Sequence, residues 1–445
     1  MNITIVGAGS IGVHLSKYFA DEQQDVFLVD RNPKRLMMLE SDFNLRTFCG
    51  DPTDFKILRN ANAEKADIFI AVTANAAENL VACCMAKSMG ASKTIARVDK
   101  LNYMHPSNDA VVKRMGVDHV VFPDFLAAQS IISSLEHPWC QDWSEFEDGA
   151  ILMVAVVVEE DSVIQGLRLK DLFGESRLMH ISAMRRNHRT IIPHGDDRIL
   201  PHDVLYITAV PAGIERVKEF VGAKKLNVKN VILMGGSVIS EIVAGMAHPR
   251  FSFTIIEKER ERCQSLMESC ADSDIIYGDG SEIDVLDEAG INKCDAFVAL
   301  TDNTESNILS CLTARDIGVN KTIAEVEKEQ LIDKAESFSL DTIINKPIIT
   351  ANAIFQIILD ANVDSSKCFI LPDADVGRIT VKEGSFLTKG KVMDLKLPDE
   401  LTLAGLIRKG KGEMVTGSTL FQPEDVAIVC CLTGSLKRVE KLFGK

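Results

Sequence analysis

The chain opens on a short apolar run, Ile3-Thr4-Ile5-Val6, and similar runs return at intervals through the first 138 residues. Strands are expected at Ile3–Val6, Asp25–Val29, Leu45–Phe48, Ile68–Thr73, Thr94–Val98 and His119–Phe122. Each is short, rich in β-branched or aromatic residues, and bounded by polar or glycine positions. Helical spacing fills the gaps and is clearest over Glu78–Met89, where Leu80 and Cys84 share a face. Six strands joined by helical crossovers predict a doubly wound parallel sheet. A further helix, Phe125–Glu136, carries Leu126, Ile131, Ile132 and Leu135 and stops at His137-Pro138. It leads to no seventh strand, so it is expected to cross to a partner rather than complete the sheet.

The pattern then changes. Ile151–Val158 reads as a strand followed by the turn Glu159-Glu160-Asp161-Ser162. A short helical piece within Val163–Phe173, strands at Met179–Met184 and Val204–Thr208, and a helix at Ile214–Val221 complete an α+β module of about 80 residues. After it the whole order recurs. Asn2-Ile3-Thr4-Ile5-Val6-Gly7 returns as Asn230-Val231-Ile232-Leu233-Met234-Gly235, and Gly50-Asp51 returns, equally spaced, as Gly278-Asp279. Lys93-Thr94-Ile95-Ala96 becomes Lys321-Thr322-Ile323-Ala324, and the crossing helix returns as Ile348–Leu359. Gly195 through Pro201-His202-Asp203-Val204 is matched by Gly417 through Pro423-Glu424-Asp425-Val426. A period of about 225 residues is far longer than a solenoid repeat and marks tandem duplication of a two-domain unit. The expected architecture is α/β: two Rossmann-like doubly wound domains over 1–138 and 228–362, each followed by a small α+β ligand-sensing domain, over 139–224 and 363–445.

Composition narrows the class. Hydrophobic residues make up 46% and charged residues 25%, as in a soluble globular protein, and no apolar run approaches a membrane span. The start runs directly into a strand with no basic leader, so a cytoplasmic chain is expected. A net charge of −15 argues against nucleic acid as a partner and against broad adsorption to anionic lipid. The basic stretch Met184–Arg189 is a local exception. The 11 cysteines form no C-x-x-C and sit in apolar stretches, so they read as buried, reduced thiols.

Within this frame the first glycine turn carries chemistry. Gly7-Ala8-Gly9-Ser10-Ile11-Gly12 satisfies G-x-G-x-x-G between a strand and a helix, with Asp30 ending the second strand. Gly7 permits the tight turn, Gly9 lets backbone approach a pyrophosphate, and Gly12 allows close helix–strand packing. The helix N-terminus offers N–H groups and partial positive charge to phosphate. Asp30 is suited to ribose hydroxyls and repels a 2′-phosphate, which favours NAD over NADP. Asp51, Thr73 and Arg97 fall where such sheets bind ligands, Asp51 toward the adenine and Arg97 toward phosphate. In the second copy Gly235-Gly236-Ser237-Val238-Ile239-Ser240 keeps only the first glycine, and Arg97 becomes Glu325. Glu257 still ends the second strand, and Asp279 and Thr301 are retained, but Ser237 and Glu325 both disfavour an anion, so a weak or absent second site is expected. The histidines His180, His188, His194 and His202 fit no standard ligand spacing, so no metal is expected.

On these residues, with Gly50-Asp51, Val72-Thr73, Ala96-Arg97-Val98 and the duplicated Gly…Pro-x-Asp-Val module, the whole chain resembles the peripheral regulatory subunits of bacterial Trk potassium-uptake systems. Each half looks like an RCK (KTN) unit with its C-terminal domain. The resemblance implies a cytoplasmic gating ring, usually a homotetramer, docked on a TrkH-like integral membrane channel subunit and responding to NAD(H) or ATP/ADP without catalysis. It further implies a first site of Gly7, Ala8, Gly9, Ser10, Ile11, Asp30, Thr73, Ala74 and Arg97. The second comprises Gly235 to Ile239, Glu257 and Thr301. The fingerprint alone leaves an NAD-dependent dehydrogenase open, and the resemblance leaves open a nucleotide-sensing regulator of another cation transporter.

Overall fold

The computed structural model describes residues 1–43, 45–172, 178–187, 189–338, 340–362, 369–371 and 374–432. Phe173, His188 and Cys368 lie outside them, as do residues 433–445. The chain divides into two compact units, Met1–Gln129 with Ile344–Ile358, and Ser130–Ile343 with Leu359–Lys445.

In the first unit, β1 (Asn2–Val6), β2 (Asp25–Asp30), β3 (Arg46–Cys49), β4 (Ile68–Ala71), β5 (Lys93–Arg97) and β6 (His119–Val121) form one parallel sheet. Its order is β3-β2-β1-β4-β5-β6, with the switch in chain direction beside β1. The crossovers are α1 (Ser10–Asp21), α2 (Pro33–Asp42), α3 (Phe55–Asn60), α4 (Ala76–Met89) and α5 (Pro106–Arg114), and α6 (Pro123–Glu136) follows the last strand. The central strands are buried on both faces, as the unbroken runs Ile3–Val6 and Ile68–Ala71 require. Asn32, Asp54 and Asn75 cap α2, α3 and α4 with side-chain oxygens, which fixes each helix start close behind its strand.

The small module after α6 is a five-stranded sheet of β7 (Asp142–Phe146), β8 (Ile151–Val157), β9 (Met179–Arg186), β10 (Arg189–Ile191) and β11 (Val204–Ala209), with α7 (Leu169–Leu172) and α8 (Ile214–Val221). Its order is β10-β9-β11-β8-β7. The edge strands β7 and β10 escape the apolar pattern: Asp142-Trp143-Ser144-Glu145-Phe146 is largely polar, and β10 has three residues.

The second parallel sheet repeats the first, with β12 (Asn230–Met234), α9 (Val238–Ala247), β13 (Ser252–Glu257), α10 (Arg260–Ser269), β14 (Asp274–Tyr277), α11 (Ile283–Glu288), β15 (Ala296–Ala299), α12 (Thr304–Ile317), β16 (Lys321–Glu325), α13 (Glu329–Ser337) and β17 (Thr342–Ile344). Its order, β14-β13-β12-β15-β16-β17, matches the first strand for strand. After α14 (Lys346–Asn362) come β18 (Phe369–Leu371), β19 (Ala374–Thr380), β20 (Leu401–Arg408), β21 (Lys411–Glu413) and β22 (Val426–Leu432), paired in the order of the first small sheet. The two small modules share a core, in which Met153, Ala155, Ala183 and Tyr206 meet Val376, Ala404, Ile407 and Ile428.

The crossing helix of the second half finds its partner within the same chain. Phe355 of α14 is 2% exposed, with ring centroids 4.0 Å from Tyr18 and 5.0 Å from Phe19 of α1. Lys346 pairs with Asp124 at 3.5 Å, and Lys93 donates to the Ile357 carbonyl at 3.1 Å. In the second unit, Ser134 of α6 shares a 2.8 Å hydrogen bond with Thr342, and Glu136 pairs with Arg250. The expected exchange of helices therefore takes place between the two halves of one chain.

The thiols follow expectation only in part. All ten described cysteines are free, but Cys49 and Cys84 are exposed and Cys294 is half-buried. Both exposed positions have apolar neighbours in sequence, yet a strand alternates its faces and a helix turns one side outward. Burial pushes the Cys140 and Cys430 thiols up to about 12, which leaves them protonated and inert.

Candidate functional site

The parallel sheet delivers every residue of the first predicted site to one edge, the C-terminal ends of its strands, which is where open α/β sheets hold ligands. The glycine turn follows β1, Asp30 ends β2, Asp51 follows β3, Thr73 and Ala74 follow β4, and Arg97 ends β5. Hydrogen bonds tie these loops together. Asp30 accepts from the Ala8 N–H at 2.6 Å and from the Asn32 N–H at 2.7 Å. Asn79 of α4 accepts from the Thr73 hydroxyl at 2.8 Å and donates to the Thr73 and Arg97 carbonyls at 3.1 and 3.0 Å.

The three glycines differ in what they permit. Gly7 has φ +103°, and a Cβ there would lie 2.9 Å from the Thr73 nitrogen. At Gly12 a Cβ would fall 1.8 Å from the Gly7 carbonyl oxygen. Both are demanded by the fold. At Gly9 an added Cβ meets nothing within 4 Å, so the protein's own packing does not require glycine there. Gly9 also precedes the N-terminus of α1, which has no side-chain cap and no acid in its first turn. Four backbone N–H groups at a helix start need acceptors. The Arg97 guanidinium is half-buried and makes no hydrogen bond or ion pair among the described residues. An open glycine, an uncapped helix and an unpaired cation on one sheet edge fit a phosphate-bearing ligand.

Residues that the sequence reading did not assign to the site also stand here. Arg31 bridges Asp51 at 2.8 Å and Glu78 at 2.6 Å. The Thr53 hydroxyl and N–H, with Arg31, lower the pKa of the exposed Asp51 to about 2. Asn79 was legible in part, because it recurs as Asn307 at the repeat spacing. Arg31 and Glu78 had no such signal, since their counterparts are Lys258 and Ser306.

The second site is assembled on the same frame. Glu257 accepts from the Gly236 N–H at 2.7 Å, and Asn307 donates to the Thr301 and Glu325 carbonyls at 2.8 and 3.0 Å. Asp279 follows β14, its pKa lowered by the Ser281 hydroxyl and N–H. Around the glycine turn, however, the protein supplies its own partners. Ser237 caps α9, accepting from the Ser240 N–H at 3.3 Å, and the Ser240 hydroxyl donates to the Gly235 carbonyl at 2.6 Å. Arg262 donates to the Gly236 carbonyl at 2.6 Å and pairs at 2.9 Å with Glu241, which lies in the first turn of α9. Val238 and Ile239 continue into that capped turn, and Glu325 is buried where the first half has Arg97.

Among the described residues no group of His, Cys, Asp and Glu is set to hold a metal ion, and no helix is long and apolar enough to cross a membrane.

Comparison with known proteins agrees with this anatomy. The TrkA-N domain family matches residues 3–123 and 231–346, and the TrkA-C domain family matches residues 153–222. The chain is 27% identical to the Trk system potassium uptake protein TrkA of Azorhizobium caulinodans, over all of this chain and 98% of that protein. It is also 27% identical to a TrkA homolog of Archaeoglobus fulgidus, over the full length of both. Among solved structures, the GsuK RCK domain superposes with a TM-score of 0.62 at 16% identity, covering 99% of this chain and 94% of that one. The GsuK channel bound to NAD gives 0.61 at 16% identity, covering 99% and 78%. The paired parallel sheets and their duplicated glycine turns thus have a family: the chain belongs to the TrkA family.

Proposed function

We propose that this chain is the regulatory subunit of a potassium uptake system, that it binds NAD(H) or ATP/ADP in its first cleft, and that it acts by binding rather than by catalysis. One contrast carries the reading: the helix start after Gly9 is left without a side-chain cap, whereas its counterpart is closed by Ser237, Glu241 and Arg262. Support comes from membership of the TrkA family and from the GsuK structures, one bound to NAD and another, with a TM-score of 0.51, bound to ADP.

In this reading the Ser10, Ile11 and Gly12 N–H groups receive the nucleotide phosphates. Arg97 adds positive charge, and Gly9 leaves the room a Cβ would take. Asp30 keeps lone pairs beyond those given to Ala8 and Asn32, and these accept from ribose hydroxyls. Asp51, Thr73 and Ala74 line the same cleft. The second cleft, from Gly235 to Ile239 with Glu257, Asp279 and Thr301, binds weakly or not at all. A nucleotide shifts a gate only through unequal affinity for two conformations. The gate lies in a TrkH-like channel subunit, on whose cytoplasmic face a homotetramer of this chain docks.

The test is potassium flux through liposomes containing that channel and the full chain, with NAD, NADH, ATP and ADP each in turn. At least one nucleotide is expected to change the flux, and Asp30→Ala to remove the response. Equal flux in every condition contradicts the proposal, and steady nicotinamide turnover against a panel of hydroxy and amino acids would favour a dehydrogenase instead.

A further inference from the structure

Away from both glycine turns, a buried cation faces a cavity. Lys321, the first residue of β16, is 1% exposed, and its ammonium donates to the Cys140 carbonyl at 3.1 Å. An ammonium carries three donors, and among the described residues this is the one hydrogen bond that the Lys321 ammonium makes. Asp341 forms no ion pair with it; one oxygen of that carboxylate accepts from both the Thr322 N–H and hydroxyl at 2.8 Å. Burial lowers the Lys321 pKa, and Asp341 opposes that shift. Charge held this deep is costly unless its partners are complete.

Lys321 lines a cavity of about 460 Å³, which lies within the second unit between the first small module and the second parallel sheet. Trp139 and Leu340 give it apolar surface. Its wall also carries Glu159, Arg185, Arg186, Asp203 and Asp341, so acids and bases face it together, and two of these charges satisfy each other. Arg186 grips Asp203 at 2.8 and 2.6 Å, and Asp203 also accepts from the Leu200 N–H. The same arrangement recurs as Arg408, Asp425 and Gln422 in the second module, so it belongs to the module's framework rather than to a ligand. Lys321 also has a repeat counterpart, Lys93, which donates to a backbone carbonyl, that of Ile357 in α14. Lys321, however, is fully buried and lines the cavity, whereas Lys93 is half-buried and does not line it.

We propose that this cavity binds a small organic anion whose carboxylate or phosphate head accepts from Lys321 while its body lies against Trp139 and Leu340. The ligand would touch the small module and the parallel sheet together, and so stabilise one arrangement of the two. The site is independent of the nucleotide cleft and stands whether or not that cleft binds.

The chain has two tryptophans, Trp139 on the cavity wall and Trp143, whose ring centroid is 6.3 Å away. Intrinsic fluorescence of the full-length protein therefore reports on this site. It should be titrated with inorganic phosphate and with malonate, chloride holding ionic strength constant. A saturating change is expected with at least one of them, phosphate alone marking a phosphate head and malonate alone a carboxylate. Lys321→Met should move the midpoint up by about tenfold or abolish the change, equivalent to about 1.4 kcal/mol, and Asp30→Ala should leave it in place. Should Lys321→Met fail to fold by circular dichroism, the thermal midpoint of the wild type decides, rising with the active anion above matched chloride. No saturation up to about 100 mM, an unchanged midpoint in folded Lys321→Met, or no thermal shift overturns the proposal.

Discussion

At the scale of single residues, the two halves differ in whether the protein itself caps the start of a helix: Ser237 caps α9, and no side chain caps α1. Gly9 and Gly12 look alike in the motif, yet their surroundings separate them. Gly12→Ala forces a Cβ into the Gly7 carbonyl and is expected to cost about 3 kcal/mol or more, read as a fall in denaturant midpoint. Gly9→Ser should change stability by less than about 0.5 kcal/mol while weakening nucleotide binding at least severalfold. Loss of stability at Gly9 instead would place its role in packing. Arg97→Ala removes a cation with no protein partner, so binding should drop by about tenfold or more with little change in stability. The glycines, Asp30 and Arg97 were legible because each occupies a fixed place relative to a strand end. The bridge from Arg31 to Asp51 and Glu78 was not, because it joins three loops that only the folded sheet brings together.

At the scale of elements, the helix α14 packs on α1 of the first unit from more than 300 residues further along the chain. Phe355→Ala should destabilise the first unit by about 3–5 kcal/mol. The measurement is hydrogen exchange of the β1 amides, which should lose protection selectively; unchanged β1 protection would show that α14 does not support that sheet. The pattern of apolar positions found both crossing helices but not where they pack, since periodicity reports a buried face and not its partner. The small modules meet at His180, whose ring nitrogen lies 3.2 Å from the Thr402 hydroxyl. Burial lowers the pKa of His180 to about 4, so the unfolded chain binds its proton first on acidification. This histidine therefore costs no stability above about pH 6.5, and stability falls between about pH 6.5 and 4, by up to about 3 kcal/mol. His180→Gln should flatten the pH dependence of the thermal midpoint in that window. An identical slope in the variant would assign the loss to other groups.

At the scale of the whole molecule, duplication has produced two sheets of the same strand order with different chemistry at their edges. The fold was legible almost completely, because a repeat states each element twice and each copy checks the other. Edge strands such as β7 and β10 were the exception, being too short and polar to leave a period. The asymmetry was legible in Ser237, Ser240 and Glu325, but its physical form was not. The second turn closes through Arg262 and Glu241, residues of α10 and α9 that no motif connects. The central claim is that one cleft per chain binds nucleotide, and calorimetric titration of NAD, NADH, ATP and ADP against the wild type, Asp30→Ala and Glu257→Ala tests it most directly. One strong site per chain, lost in Asp30→Ala and kept in Glu257→Ala, is the predicted result; two equal sites, or loss of binding through Glu257→Ala alone, would contradict it.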